Sequence, residues 1–146
     1  MAVFKIMDKA YTESYSEENV YNYIMNTNKT DGCVGGYNVF ADHYLDIAST
    51  VRRLFSNNDS HKFIHFIISY KNIYDIDCIY RDARIIASFF IDNQVVFGIH
   101  LNTENLHIHF MVNNVRFTDG YVIKDYSILR NQLTDYCNGR ILEKLL

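Results

Sequence analysis

Proline and tryptophan are absent from these 146 residues, cysteine occurs three times and glycine six. No run of about 18 uncharged apolar residues occurs, which excludes a helix of membrane-spanning length. The opening MAVFKIMDKAYTESYSEENV carries no apolar signal segment, so a soluble cytoplasmic protein with no membrane partner is expected. Cys33, Cys78 and Cys137 are odd in number and far apart, which argues against a disulfide framework or a CxxC zinc site and leaves them as expected buried thiols. A net charge of -3 argues against wholesale coating of nucleic acid, which runs on clustered Lys and Arg, while leaving room for a local basic groove. Tyrosine, by contrast, occurs 12 times, so one tyrosine taken alone carries little information.

What is present suffices for one domain over 1–146: at 49% apolar composition a chain of this length can bury a continuous core. AVFKIM, residues 2 to 7, alternates weakly as a short strand. SYSEENVYNYIMN pairs Ser14 with Glu17 in a capping-box pattern and sets Val20, Ile24 and the Tyr21/Met25 pair at helical spacing, predicting a helix over Ser16 to Asn26. KTDGCVGGYN, with three of the glycines, reads as a loop. From Phe40, the apolar positions Tyr44, Ile47, Val51, Leu54 and Phe55 follow at steps of three and four, the strongest helical signal in the chain. KFIHFIISYK, residues 62 to 71, reads as a strand, and Ile79, Ala83, Ile86 and Phe90 as a further helix. QVVFGIHL and LHIHFMVNNVRF form two strands joined by the polar NTEN. A second hairpin through Asp119-Gly120 into YVIK and a helix around Leu129, Leu133 and Tyr136 close the chain. The sum is an α+β fold: a central, mostly antiparallel β-sheet flanked by α-helices in two or three layers.

The chemistry concentrates in GIHLNTENLHIHFMVNN, residues 98 to 114. Alternation puts His107, His109, Met111 and Asn113 on one strand face and Ile108, Phe110 and Val112 on the other. In a symmetric register His100 lies opposite His107 and Gly98 opposite His109, with opposed Cβ atoms about 5 Å apart, so three imidazoles converge and Gly98 leaves room beside the third. A lone strand histidine is usually a satisfied or half-exposed residue. An HxH pair with a third histidine across the turn points instead to a divalent ion, with Mn²⁺, Zn²⁺, Co²⁺ or Ni²⁺ suiting imidazole better than Ca²⁺ or Mg²⁺. Three protein ligands leave coordination positions open for substrate or water. A zinc hydrolase built on them needs a carboxylate base, for which Glu104 is the local candidate; a phosphodiester transferase needs a nucleophile elsewhere in the chain.

The pattern of a strand ending in His100, the loop LNTENL and then HIHFMVN with Asn113 resembles the relaxase/mobilisation nuclease family of the HUH endonucleases. HFIISY, with His65, Ser69 and Tyr70, is similar to that family's preceding strand, and YNYIMNTNKT, with Tyr23 and Lys29, to its N-terminal tyrosine motif. DYSILRNQLTDYCNGRIL resembles the helix closing the catalytic core, so the likeness runs from about Glu17 to Ile141. The resemblance implies nicking of single-stranded or hairpin DNA at a plasmid or mobile-element transfer origin, together with accessory mobilisation proteins. It assigns Tyr23 as nucleophile forming a 5′-phosphotyrosine, Asn113 as a further catalytic residue, and His100, His107 and His109 as ligands of Mn²⁺ or Mg²⁺, with Zn²⁺ also compatible. His65, Asn102 and Glu104 are expected just behind the ligands, and Lys29, Arg116 and Lys124 on the DNA, with Arg52, Arg53 and Lys62 as further basic candidates.

Other readings of these residues remain open. Tyr23 shares a helical stripe with Val20, Ile24 and Thr27, as a core-edge tyrosine would, and Tyr21 is two residues away. Tyr11 and Tyr15 fit the spacing to Lys29 less well. Asn102 stands where the family usually has an acid that strengthens a ligand imidazole, and Leu106 where it often has proline. A catalytically decayed DNA-binding module and a rolling-circle initiator reacting through Tyr126 or Tyr136 are the alternatives.

Overall fold

The computed structural model describes residues 1–8 and 12–146. Five strands form one antiparallel sheet: β1 (Val3–Met7), β2 (Val34–Tyr37), β3 (Phe63–Ser69), β4 (Val95–His100) and β5 (His107–Asn113). Their spatial order is β1-β3-β5-β4-β2, which puts β5 at the centre. Alternation divides the sheet into two faces. On one, Ile64, Phe66, Ile68, Phe97, Ile99, Ile108 and Phe110 pack against α4 (Ile76–Ala87) and α5 (Tyr126–Cys137). Phe66 and Phe110 are paired across the strands and stack at 4.5 Å, and each such buried ring contributes roughly 1.5–3 kcal/mol. On the other face Val96 and Met111 pack against α1 (Glu17–Met25) and α3 (Tyr44–Leu54) through Val20, Ile24, Tyr44 and Ala48. The result is a three-layer α+β sandwich, as the residue patterns led us to expect.

Helix α1 forms within the expected bounds but with a different cap. Ser16, not Ser14, accepts the Asn19 backbone N–H at 3.1 Å, which frees Glu17 to pair with Arg52. At the other end Asn26 closes α1 and its side chain caps α2 (Thr27–Thr30), which ends on Asp31 in the left-handed region. Within the glycine-rich stretch expected as a loop, Val34–Tyr37 is instead the edge strand β2. A Cβ on Gly35 would stand 2.5 Å from Phe97 Cζ and 2.7 Å from the Tyr80 hydroxyl, so missing side chains let the core close over this edge. Tertiary packing overrides the local turn signal here.

The strongest helical pattern is only half right. Phe40 is 82% exposed and precedes a 3₁₀ turn at Ala41–His43. Within α3 the column facing the sheet is Tyr44, Ala48 and Arg52, with Val51 beside it, while Ile47 and Leu54 face outward. The buried Arg52 draws that column inward: its guanidinium donates to Glu17 at 2.6 Å and to Asn113 Oδ1 at 3.1 Å. The second hairpin reduces to one antiparallel bridge, Val115 to Val122, around Gly120 at φ +75°. The three cysteines are free, but only Cys137 is buried; Cys33 is half-buried and Cys78 exposed. Among the described residues, no helix is long and apolar enough to cross a membrane.

Candidate metal centre

The register expected for the hairpin is the one observed: His100 pairs with His107 and Gly98 with His109. All three histidines therefore rise from the α1 side of the sheet, and each offers a ligand nitrogen within 4.8 Å of the others. His65 joins them from the neighbouring strand. It pairs with Met111 and lies diagonally across from His109, and its Nε2 approaches His109 Nδ1 to 3.0 Å.

Hydrogen bonds fix where the protons sit. A carbonyl only accepts, so the 3.1 Å contact to Ile24 O puts the His100 proton on Nε2, and the 3.0 Å contact to Asn105 O puts the His107 proton on Nδ1. Each ring keeps a lone pair on its other nitrogen. Burial pushes the His100 pKa below its ordinary value, and His107 and Lys29 push the same way. Burial pushes His109 down to about 2, with His100, His65, His107 and Lys29 adding repulsion, so both rings are neutral at pH 7. His109 Nε2 is buried with no hydrogen-bond partner among the described residues. An orphaned imidazole nitrogen beside two others with lone pairs is what a divalent cation accepting nitrogen ligands requires, so these residues fit one.

Gly98 has a different use from the one expected. A Cβ there would stand 2.2 Å from Ile24 O, so the missing side chain makes a seat for the C-terminal end of α1, not free space beside His109. With α1 seated so, the Tyr23 ring meets His100 edge-on at 5.2 Å and His109 at 5.4 Å. It is nevertheless 45% exposed, and Lys29 Nζ lies 5.1 Å from its centroid. Tyr21 points away: its hydroxyl donates to Ala41 O at 2.7 Å and its ring stacks on Tyr44. Tyr15 sits behind the cluster, with its hydroxyl 3.0 Å from His65 Nδ1 and its pKa raised to about 12, chiefly by burial. Tyr126 and Tyr136 pack on the opposite face of the sheet, and Tyr136 is bonded to Ser88 at 2.8 Å. Tyr11 lies outside the described residues.

Several expected residues are not brought to the histidines. Asn113 is four residues beyond His109 on β5, roughly 13 Å away at about 3.3 Å per residue. It is fully buried, its amide donating to Gln94 Oε1 at 3.0 Å and accepting from Arg52, which ties it into a buried network apart from the cluster. Asn102 and Glu104 are exposed in the hairpin loop, and Glu104 is not among the clustered ligand groups. Arg116, past the far end of β5, is held by Asp92 at 2.8 Å and Asp119 at 3.4 Å. Lys124 is exposed beyond the Val115 to Val122 bridge, away from the histidines, while Arg52, offered as a DNA contact, is buried in its ion pair. Of the basic candidates, Lys29 is the one beside Tyr23. Ser69 pairs with His107 on the histidine face. Tyr15 and Glu17 were missed as contributors, because each acts through a partner at least 35 positions along the chain, which local spacing does not reveal.

An antiparallel sheet between helices, with three histidines converging at its central hairpin, is consistent with a relaxase nuclease domain. The family model for the MobA/VirD2-like relaxase nuclease domain matches residues 23–144, and the chain belongs to that family. No curated protein matches it. Membership carries with it a nuclease that acts on DNA, and the three histidines supply a place where a metal could bind.

Proposed function

We propose that the protein nicks one strand of DNA at a transfer origin of a plasmid or other mobile element, with Tyr23 as nucleophile. The observation that carries this is the placement of Tyr23. Among the described residues its ring is the only tyrosine ring packed against the clustered histidines, meeting His100 and His109, and it stays open to solvent. In the reaction the Tyr23 oxygen forms a bond to the scissile phosphorus while the bond from phosphorus to the 3′ oxygen breaks. The tyrosine proton is lost to water, the departing 3′ oxygen takes one up, and the products are a 5′-phosphotyrosine and a free 3′-hydroxyl. One phosphodiester is exchanged for another, so the step is reversible and the strand can be rejoined.

His100, His107 and His109 would hold a divalent ion, with Mn²⁺ or Zn²⁺ suiting the nitrogen set better than Mg²⁺. Such an ion, when bound, would supply Lewis-acid polarisation of the non-bridging oxygens of the scissile phosphate. Lys29 adds positive charge beside the Tyr23 ring, where it favours negative charge developing on the tyrosine and attracts the phosphate. The edge-on packing of Tyr23 against two ligand rings holds the nucleophile near the bound phosphate, which replaces an encounter by a fixed geometry. A small-ester zinc hydrolase with Glu104 as base is disfavoured, since Glu104 stands apart from the cluster.

The test uses a randomised single-stranded DNA library incubated with the protein and Mn²⁺, and covalent adducts are isolated on a denaturing gel and sequenced. The expected result is an adduct enriched in one sequence, retained by Tyr21→Phe and lost by Tyr23→Phe. An adduct that persists in Tyr23→Phe overturns the assignment.

A further inference from the structure

Each clustered histidine has a partner for its second ring nitrogen, and none of these partners carries a carboxylate. For His100 it is the backbone carbonyl Ile24 O, and for His107 it is the backbone carbonyl Asn105 O, with the Thr103 hydroxyl 3.2 Å from the same nitrogen. For His109 it is His65, which is bonded in turn to Tyr15. The three rings contact one another in series: Tyr15 stacks on His65 at 6.1 Å with 25° between planes, and His65 lies 5.3 Å from His109 at 33°.

A neutral imidazole has one N–H and one lone pair, so two bonds in series admit only two proton orders. In the first, His109 Nδ1–H donates to His65 Nε2, and His65 Nδ1–H donates to the Tyr15 oxygen. In the second every bond reverses. Tyr15 O–H donates to His65 Nδ1, His65 Nε2–H donates to His109 Nδ1, and the His109 proton moves to Nε2, which is buried without a partner among the described residues. The second order therefore buries an unsatisfied donor and leaves no lone pair for a cation. The first leaves the lone pair on the orphaned atom.

We propose that Tyr15 and His65 are positioning residues that hold His109 in its Nδ1–H tautomer, and that this uncharged relay does for the metal centre what a carboxylate behind a ligand imidazole otherwise does. The proposal rests on the reading of the three histidines as a cation site. Because none of these supporting groups is a carboxylate, none of them would offset the charge of an ion held in the cluster. His109 is also the one of the three whose second ring nitrogen is bonded to another imidazole, so substitution at His65 can change its tautomer directly.

The experiment is calorimetric titration of Mn²⁺ into the wild type, His65→Leu, His65→Gln and Tyr15→Phe, with long-range ¹H–¹⁵N spectra of the metal-free proteins reporting the His109 tautomer. His65→Leu removes the acceptor and is expected to weaken Mn²⁺ binding by about 10- to 100-fold. His65→Gln places an acceptor oxygen where Nε2 was and is expected to restore binding to within a few-fold. Tyr15→Phe keeps the ring packed on Phe63 and is expected to raise the Nε2–H population of His109. Binding by His65→Leu within twofold of wild type, or a wild-type His109 protonated on Nε2, overturns the relay alone. A wild type that binds no Mn²⁺ overturns the cation-site reading and the relay with it.

Discussion

Replacing Gly98 by alanine adds one methyl group at the point where α1 rests on the sheet. The new Cβ would stand 2.2 Å from Ile24 O, and 3.2 Å from both Ile24 C and Thr30 Cγ2. A carbon and a carbonyl oxygen settle no closer than roughly 3.2 Å, so the end of α1 must lift by about 1 Å. Backbone cannot rotate aside as a side chain can, and an overpacked site of this kind costs about 1–3 kcal/mol. For a domain of this size that lowers Tm by about 3–10 °C. The lift stretches the 3.1 Å contact between His100 Nε2 and Ile24 O and carries Tyr23, one residue earlier, away from His100 and His109. A displacement near 1 Å in an aligned nucleophile costs on the order of 100-fold in rate. The expected outcome for Gly98→Ala is thus a folded protein that still binds Mn²⁺ by calorimetry but whose rate of adduct formation with single-stranded DNA falls about 100-fold. Wild-type adduct formation by Gly98→Ala would refute the claim that this glycine sets the approach of Tyr23.

Arg52→Ala leaves Glu17 buried without its partner and removes a donor from Asn113, so a loss of about 3–5 kcal/mol is expected by urea denaturation. Tyr21→Phe removes one hydrogen bond, to Ala41 O, and is expected to destabilise by about 1 kcal/mol while leaving Mn²⁺ affinity unchanged. The metal-free protein should weaken in acid. His109 is held near 2 when folded against an ordinary 6.5, so the unfolded chain takes up a proton that the folded one refuses. Stability from this group is fully present above about pH 6.5 and falls as pH drops toward 2. Between pH 7 and pH 5 the loss is about 2 kcal/mol, and His109→Gln should lack that increment of slope. Equal slopes in the two proteins would sink this account of His109.

The heart of the site was legible because hairpin alternation is a local property. Two histidines separated by one residue must share a face, and a short polar turn brought His100 opposite His107. The reach of Tyr23 was legible only through family resemblance, since nothing in its helical stripe separates a nucleophile from a core-edge tyrosine. Other features depend on contacts between distant residues. The Arg52 to Glu17 pair turns α3 so that Ile47 and Leu54 face outward, against their apolar period. Gly35 belongs to a strand because Phe97 and Tyr80 need its empty space. Gly98 read as room for an imidazole because α1 could not be placed from sequence. Asn113 matched a motif position, yet its surroundings tie it into the Arg52 network instead of the site.

The central position of β5 has a bearing on motion. His107 and His109 lie on a strand paired on both sides, while Tyr23 rides on a nine-residue helix seated at the sheet surface. Backbone amides of a central strand such as β5 are expected to exchange with solvent only when the domain opens as a whole, whereas a short surface helix can detach at lower free energy. The clustered histidines are thus anchored in the most durable part of the molecule, while Tyr23 sits on a part that can swing out and return. If Tyr23 takes up a strand as proposed, the attached 5′ end could leave and re-enter the centre with its helix, without the histidines being disturbed.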